Sequence, residues 1–125
     1  MTENELATVA IDICLKIHKE YGPGLYERVY EELFCFELDK LEINYARQVG
    51  IPLNHESLKI KVSYKADVIL EDKLIIEIKS IHLLNEVHFR QLHTYLKIKK
   101  VKLGLLINFN VPLIKHGIRR VVNGL

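Results

Sequence analysis

The chain has 125 residues, 49% hydrophobic and 27% charged, a balance that fits one compact globular domain over residues 1–125 and excludes a disordered polyelectrolyte or a membrane-embedded chain. With 18 basic against 16 acidic residues the formal charge is only +2, which suits a polyanionic partner but does not demand one. The opening Met1-Thr2-Glu3-Asn4-Glu5 lacks a basic flank followed by an apolar run, so neither a signal peptide nor a membrane anchor is expected, and the cytoplasm is the expected location.

Thr2-x-x-Glu5 reads as a capping box, and Leu6, Val9, Ala10, Ile13, Cys14, Ile17 and Tyr21 then recur at helical spacing. Gly22-Pro23-Gly24 stops this helix. A second is expected from about Leu25 to Leu41, with Tyr26, Tyr30, Leu33, Phe34 and Leu38 as its buried arc. Cys14 and Cys35 stand alone in these helical patterns, without metal-site spacing, and are expected as core thiols.

From Ile43 the texture becomes rich in β-branched residues, predicting strands near 44 to 52, 58 to 70 and 73 to 80, with a turn at Asn54-His55-Glu56. A third helix is predicted from about Asn85 to Ile98, then a buried strand over Val101 to Ile107. The segment from Val111 to Leu125 reads as a turn followed by a short amphipathic piece packed on the domain. The order ααβββαβ implies an α/β fold with a mixed sheet flanked by helices.

Chemistry is sought where apolar runs are broken, because a buried charge needs a partner or a metal. At 100° per residue Glu27 projects between Phe34 and Leu38 on the second helix. Glu77 and Lys79 interrupt the apolar run Leu74 to Ser80 two residues apart, and so share one face. Asp67 lies on the preceding strand, and a three-residue loop at Glu71-Asp72-Lys73 sets it directly opposite Glu77. Two facing carboxylates repel, and a divalent cation such as Mg2+ relieves that repulsion through hard oxygen ligands, with Glu27 able to complete the site. Lys79 is then placed to orient water, to contact phosphate, or to act as a base if burial lowers its pKa.

These residues resemble a known family. Asp67, nine intervening residues and Glu77-x-Lys79 are similar to the motif of the PD-(D/E)XK nuclease superfamily, and Gly24-x-x-Glu27-x-x-Tyr30 resembles the signature of the GxxExxY proteins within it. The likeness continues through Gly22 to Glu27, Arg47-Gln48-Val49, Lys65-Ala66-Asp67, Gln91-x-x-x-Tyr95 and Leu103 to Asn110. It implies a restriction-endonuclease-like αβββαβ core with an extra N-terminal helix. Within that core Asp67 and Glu77 match metal ligands, Lys79 the catalytic lysine and Glu27 the acid of the preceding helix. Gln91 and Tyr95 match an element of RecB-type nucleases that resembles a support for the active site or the substrate strand. Ala66 replaces the motif's proline, a position that brings no ligand or proton-transfer group.

The remaining polar residues carry weaker signals. None of the six histidines has a metal-site spacing, and His88, one turn before Gln91, is the single reserve candidate. Lys97, Lys99 and Lys100 suit a helix C-terminus; together with Arg119 and Arg120 they are also the candidates for phosphate contacts. The function expected is a nuclease dependent on Mg2+ or Mn2+, with nucleic acid as partner and DNA favoured over RNA. No membrane association is expected. A chain this short has no separate recognition domain, so a homo-oligomer or a partner protein is expected to supply specificity. The alternative is a nuclease fold that no longer turns over and serves as a binding or assembly module.

Overall fold

Thr2 opens the first helix as the spacing predicts: its hydroxyl accepts from Glu5 N at 3.1 Å and its own N–H donates to the Glu5 carboxylate at 2.8 Å. The computed structural model describes residues 1–61 and 64–125. In order come helices α1 (Glu3–Tyr21) and α2 (Glu27–Lys40), strands β1 (Tyr45–Gly50), β2 (Leu53–His55), β3 (Leu58–Ile60), β4 (Lys65–Leu70) and β5 (Leu74–Lys79), helix α3 (Glu86–Lys99) and strand β6 (Leu103–Asn108). A 3-10 turn at Ile114–His116 then leads into β7 (Ile118–Val122).

One five-stranded sheet runs in the order β1-β4-β5-β6-β7, and β2 pairs with β3 as a separate hairpin. Only β5 and β6 are parallel, as a crossover through α3 requires. Each face of the sheet holds its own apolar layer. Val68, Leu70, Leu74, Ile76 and Ile78 pack with α1 and α2, whereas Ile69, Ile75 and Leu106 pack with Leu92, Tyr95 and Leu96 of α3. Buried Cys14 and Cys35 are free thiols in the first layer. No helix among the described residues is long and apolar enough to cross a membrane.

Four expectations need correction. The strand expected over 58 to 70 is two strands, β3 and β4, and Val62 and Ser63 between them lie outside the described residues. The turn expected at Asn54-His55-Glu56 sits slightly later: His55 ends β2 and Glu56 adopts φ 52°. The C-terminal amphipathic piece is a fifth strand of the main sheet, because alternation in Ile118-Arg119-Arg120-Val121-Val122 lets β7 pair with β6 from Leu103–Val122 to Ile107–Ile118. Its two arginines mark it as an edge strand. Finally, Tyr26 is 81% exposed rather than part of the buried arc, since it is the extended N-cap of α2 and lies outside the helical wheel.

Candidate metal and phosphodiester site

The turn between β4 and β5 decides the register. Glu71 and Asp72 both take left-handed φ, and Lys73 N bonds Leu70 O at 2.9 Å, so Leu70 pairs with Leu74, Ile69 with Ile75 and Val68 with Ile76. The next pair is Asp67 and Glu77. There the ladder changes character, because each acid accepts a main-chain N–H from the opposite strand. Asp67 N donates to Glu77 Oε1 at 3.0 Å and Ile78 N donates to Asp67 Oδ2 at 2.8 Å. The two strands are held together at this point by carboxylates in place of carbonyls.

Glu77 is only 5% exposed, and burial, followed by the charge of Asp67, pushes its pKa up to about 8. Asp67 is raised too, mainly by burial and then by the nearby charge of Glu31. The Lys79 ammonium lowers both, which places it beside the pair as the shared strand face predicts. Two raised acids at close range disfavour a second negative charge, and a cation relieves that cost.

Glu31, which the sequence reading passed over, is a central member of this cluster. It is buried, and its Oε2 accepts from Arg47 Nε and Nη2 at 3.0 and 2.7 Å, a charge-assisted fork. Its Oε1 accepts from Gln48 Nε2 at 2.7 Å, and the same Nε2 lies 3.4 Å from Asp67 Oδ1. The signal was present in the helical wheel: at 100° per residue Glu31 falls between Leu38 and Cys35, on the same apolar arc as Glu27 and one turn further into the helix.

Gln48 makes that bridge from a strained backbone, with φ 48° inside a strand. Strict alternation would put Arg47 and Val49 on one face. Instead Arg47 reaches Glu31 on α2, while Val49 and Ala66 pack with Ile51 on the α3 side. The switch of faces occurs at Gln48 and its neighbour Asp67, so the acid sits where the sheet turns over.

Glu27 opens α2, is exposed, and accepts Ser80 N on its Oε2 at 3.0 Å, while Ser80 Oγ donates to Leu25 O at 3.0 Å. On the other side buried Asn108 grips Ile81 twice, accepting Ile81 N at 3.1 Å and donating to Ile81 O at 3.0 Å. The chain leaving Lys79 is thus clamped from two directions. Gly24, at φ 117°, forms a turn that a larger residue would strain. Tyr30 fixes that turn by donating to Gly22 O at 2.6 Å and accepting Leu25 N at 3.2 Å, and its ring stacks on Phe109. Gly24, Glu27 and Tyr30 therefore shape the approach to the end of β5.

Glu27, Glu31, Arg47, Gln48 and Asp67 line one open cleft of about 470 Å³. Tyr95 lies in the α3-side layer of the sheet, and burial, and then Glu77, Tyr64 and Asp67, raise its phenol to about 12. Gln91 and Tyr95 share a neighbouring cleft. His88 has a local task, its Nδ1 accepting Asn85 N at 3.1 Å to cap α3. The basic residues are dispersed. Lys97, Lys99 and Lys100 lie exposed toward the far end of α3, Arg119 donates to the carbonyls of His116 and Ile118, and Arg120 is engaged by Asn4.

The donor set fits a hard divalent cation. Asp67 and Glu77 each commit one oxygen to a main-chain N–H; Glu77 Oε2 accepts no hydrogen bond among the described residues, and Asp67 Oδ1 has only the long Gln48 contact. No group of three or more acidic, histidine or cysteine side chains among the described residues is gathered as a metal site. Two carboxylates, with water and phosphate oxygens completing the shell, match the habit of magnesium.

A mixed sheet with interlocked acids at the centre of its antiparallel hairpin, a lysine two residues on, and helices on both faces defines a restriction-endonuclease-like fold. A scan against protein-family models matches residues 4–121 to the PD-(D/E)XK nuclease superfamily, and the chain belongs to that superfamily. Searches of curated proteins and of solved structures found no match. Members generally use divalent metals, and membership points to a nuclease-type function and to nucleic-acid binding.

Proposed function

We propose that residues 1–125 form one nuclease domain of the GxxExxY type, acting in the cytoplasm, that hydrolyses phosphodiester bonds of DNA or RNA with Mg2+ or Mn2+, DNA being the favoured substrate. The observation that carries this reading is the Asp67–Glu77 interlock: two acids, each anchored through one oxygen, with Glu77 raised to about 8 by burial and by the charge of Asp67. A bound metal supplies charge neutralisation at the phosphate and lowers the pKa of water.

The chain's own residues do the rest. Asp67 and Glu77 would hold the ion. Glu27, one oxygen on Ser80 N, would complete the site from the helix side. Lys79 orients the attacking water or contacts the phosphate as a point charge, and Gln91 with Tyr95 supports the substrate strand from α3. Exposed Lys97, Lys99 and Lys100 add long-range attraction for a polyanion, with smaller parts for Arg119 and Arg120. A second copy or a partner protein supplies target choice.

The test is incubation of the purified protein with single- and double-stranded DNA and RNA, in magnesium, manganese or chelator, beside Glu77→Ala. Metal-dependent cleavage by the parent, lost in the variant, is the expected result. Equal cleavage by both points to a contaminant and overturns the proposal; metal-independent binding without cleavage leaves the silent binding module.

A further inference from the structure

On the α3 face lies a second cleft of about 340 Å³, lined in part by Tyr64, three residues before Asp67, and by neither acid nor Lys79. Leu53, Val87 and Ile98 make it apolar. Tyr64 and Tyr95 form its aromatic side, with ring centroids 6.3 Å apart and planes tilted by 46°. An exposed tyrosine by itself signifies little. Three further observations give this one meaning.

The first is placement. Ile51 N donates to Tyr64 O at 2.9 Å, which carries the β1–β4 register one pair beyond Gly50 and Lys65. The main chain of Tyr64 is therefore fixed, while the residue stays 52% exposed. The face switch at Gln48 is what turns this end of β4 toward α3.

The second is proximity. Tyr64 precedes Asp67 by three residues, about 10 Å of extended chain at ~3.3 Å per residue. Tyr95 links the two, its ring centroid 6.3 Å from that of Tyr64 and its phenol raised in part by the charges of Glu77 and Asp67. A group resting on Tyr64 stands within roughly a nucleotide's reach of the acids.

The third is unused polar capacity. Neither the Gln91 amide nor the Tyr95 hydroxyl makes a side-chain hydrogen bond among the described residues. Among the described residues Arg90, on the same wall, is held only by Glu86, one helical turn back, at an exposed position. A flat apolar slot with an amide and a guanidinium at its edge matches a base with its phosphate, whereas a phosphate alone finds no buried cation there.

We propose that this cleft takes an unpaired nucleobase of the substrate strand, stacked on Tyr64 and next to the scissile phosphate, so that the substrate is single-stranded or frayed rather than intact duplex. The inference rests on the nuclease reading and names its substrate class. A base inside a duplex cannot enter without unstacking, so duplex ends, gaps and single strands are bound ahead of closed helix.

The experiment places 2-aminopurine at successive positions of short single-stranded oligonucleotides, records its quenching by the full chain in Ca2+, and measures affinity by fluorescence anisotropy. Parent, Tyr64→Ala and Tyr64→Phe are compared, with thermal melts to check folding. Quenching is expected at one position. Tyr64→Ala weakens binding roughly 5- to 150-fold and Tyr64→Phe about twofold at most. An abasic site at the quenched position removes the difference between parent and Tyr64→Ala.

Cleavage by the parent in Mg2+ with no quenching, and with Tyr64→Ala binding like the parent, overturns the cleft assignment and leaves the nuclease reading intact. Tyr64-dependent binding without cleavage in any metal does the reverse. Absence of both binding and cleavage removes the two together. The quenching measurement needs only the parent, so a misfolded variant does not shield the proposal.

Discussion

Asp67 and Glu77 each accept a main-chain N–H from the strand that carries the other, Asp67 N to Glu77 Oε1 at 3.0 Å and Ile78 N to Asp67 Oδ2 at 2.8 Å. Either acid is thus part of the sheet as well as of the site. Substitutions here are best made isosteric, so that the bond to the main chain survives the loss of charge.

Glu77, pushed up to about 8, makes stability depend on pH. Between its ordinary pKa of 4.5 and about 8 the folded chain keeps a proton that the unfolded chain has lost. That contribution is complete below the ordinary value and disappears as pH rises through about 8. Metal-free parent protein is therefore expected to melt lower at pH 8.5 than at pH 5, by on the order of a few kcal/mol in stability. Glu77→Gln should flatten this slope in chemical-denaturant titrations, and an unchanged slope would move the titrating group elsewhere.

Divalent metal should act in the opposite sense, stabilising more at pH 8 than at pH 6 because the carboxylates must lose their proton to bind it. A rise worth about 2.7 kcal/mol is expected when free metal is a hundredfold above its Kd. Asp67→Asn should abolish the rise. Glu27→Gln should only weaken affinity by about tenfold, as expected for a group acting through water. Melting curves against Mg2+ and Mn2+ separate the two; equal loss in both variants would make Glu27 a direct ligand.

Arg47→Ala removes the fork that holds buried Glu31, leaving its carboxylate with Gln48 alone. Destabilisation of about 2–3 kcal/mol is expected by urea titration. Glu31→Gln keeps the acceptor for Arg47 but removes a charge that raises both Asp67 and Glu77. The pH profile of metal binding, followed by calorimetry, should shift toward acid in that variant.

Two glycines should respond unequally to alanine. At Gly117 a β-carbon would stand 2.0 Å from Asn108 O, a main-chain atom with nowhere to go, and the expected cost is about 2–3 kcal/mol or more. At Gly104 the nearest atoms, at 3.0 Å, are the branched end of Leu92, which can rotate; about 1 kcal/mol is expected. Thermal melts of the two variants decide the order. Gly117→Ala should also impair metal-dependent cleavage, because it displaces the backbone of the residue that clamps Ile81.

Much of this was legible in the residues. Leu74 to Ile78 reads as a buried strand because it is nearly continuous apolar sequence, and the length of the Glu71-Asp72-Lys73 loop was enough to set Asp67 against Glu77. Periodicity was silent about Gln48, because nothing in Arg47-Gln48-Val49 announces a left-handed residue within a strand; the face switch and the path to Tyr64 therefore stayed hidden. β7 was missed because an edge strand is half polar and short, and its pairing with β6 is a tertiary event. Glu31 was missed because only one member of an i, i+4 pair of glutamates, Glu27, was singled out. Both glutamates lie on the apolar arc, but only the one a full turn inside the helix is enclosed by it.

The clamp on Ser80 and Ile81 also has a consequence for the newborn chain. Asp67, Glu77 and Lys79 leave the ribosome well before Asn108, whose side chain grips Ile81, and before Gly117, whose carbonyl accepts Asn108 N at 2.8 Å. The acids are made early, yet the peptide that follows them gains its fixed course only when β6 and β7 dock. During synthesis the stretch around the Asp67–Glu77 pair is thus left incomplete by chain order alone, and it takes its final shape only when the two strands made last are in place.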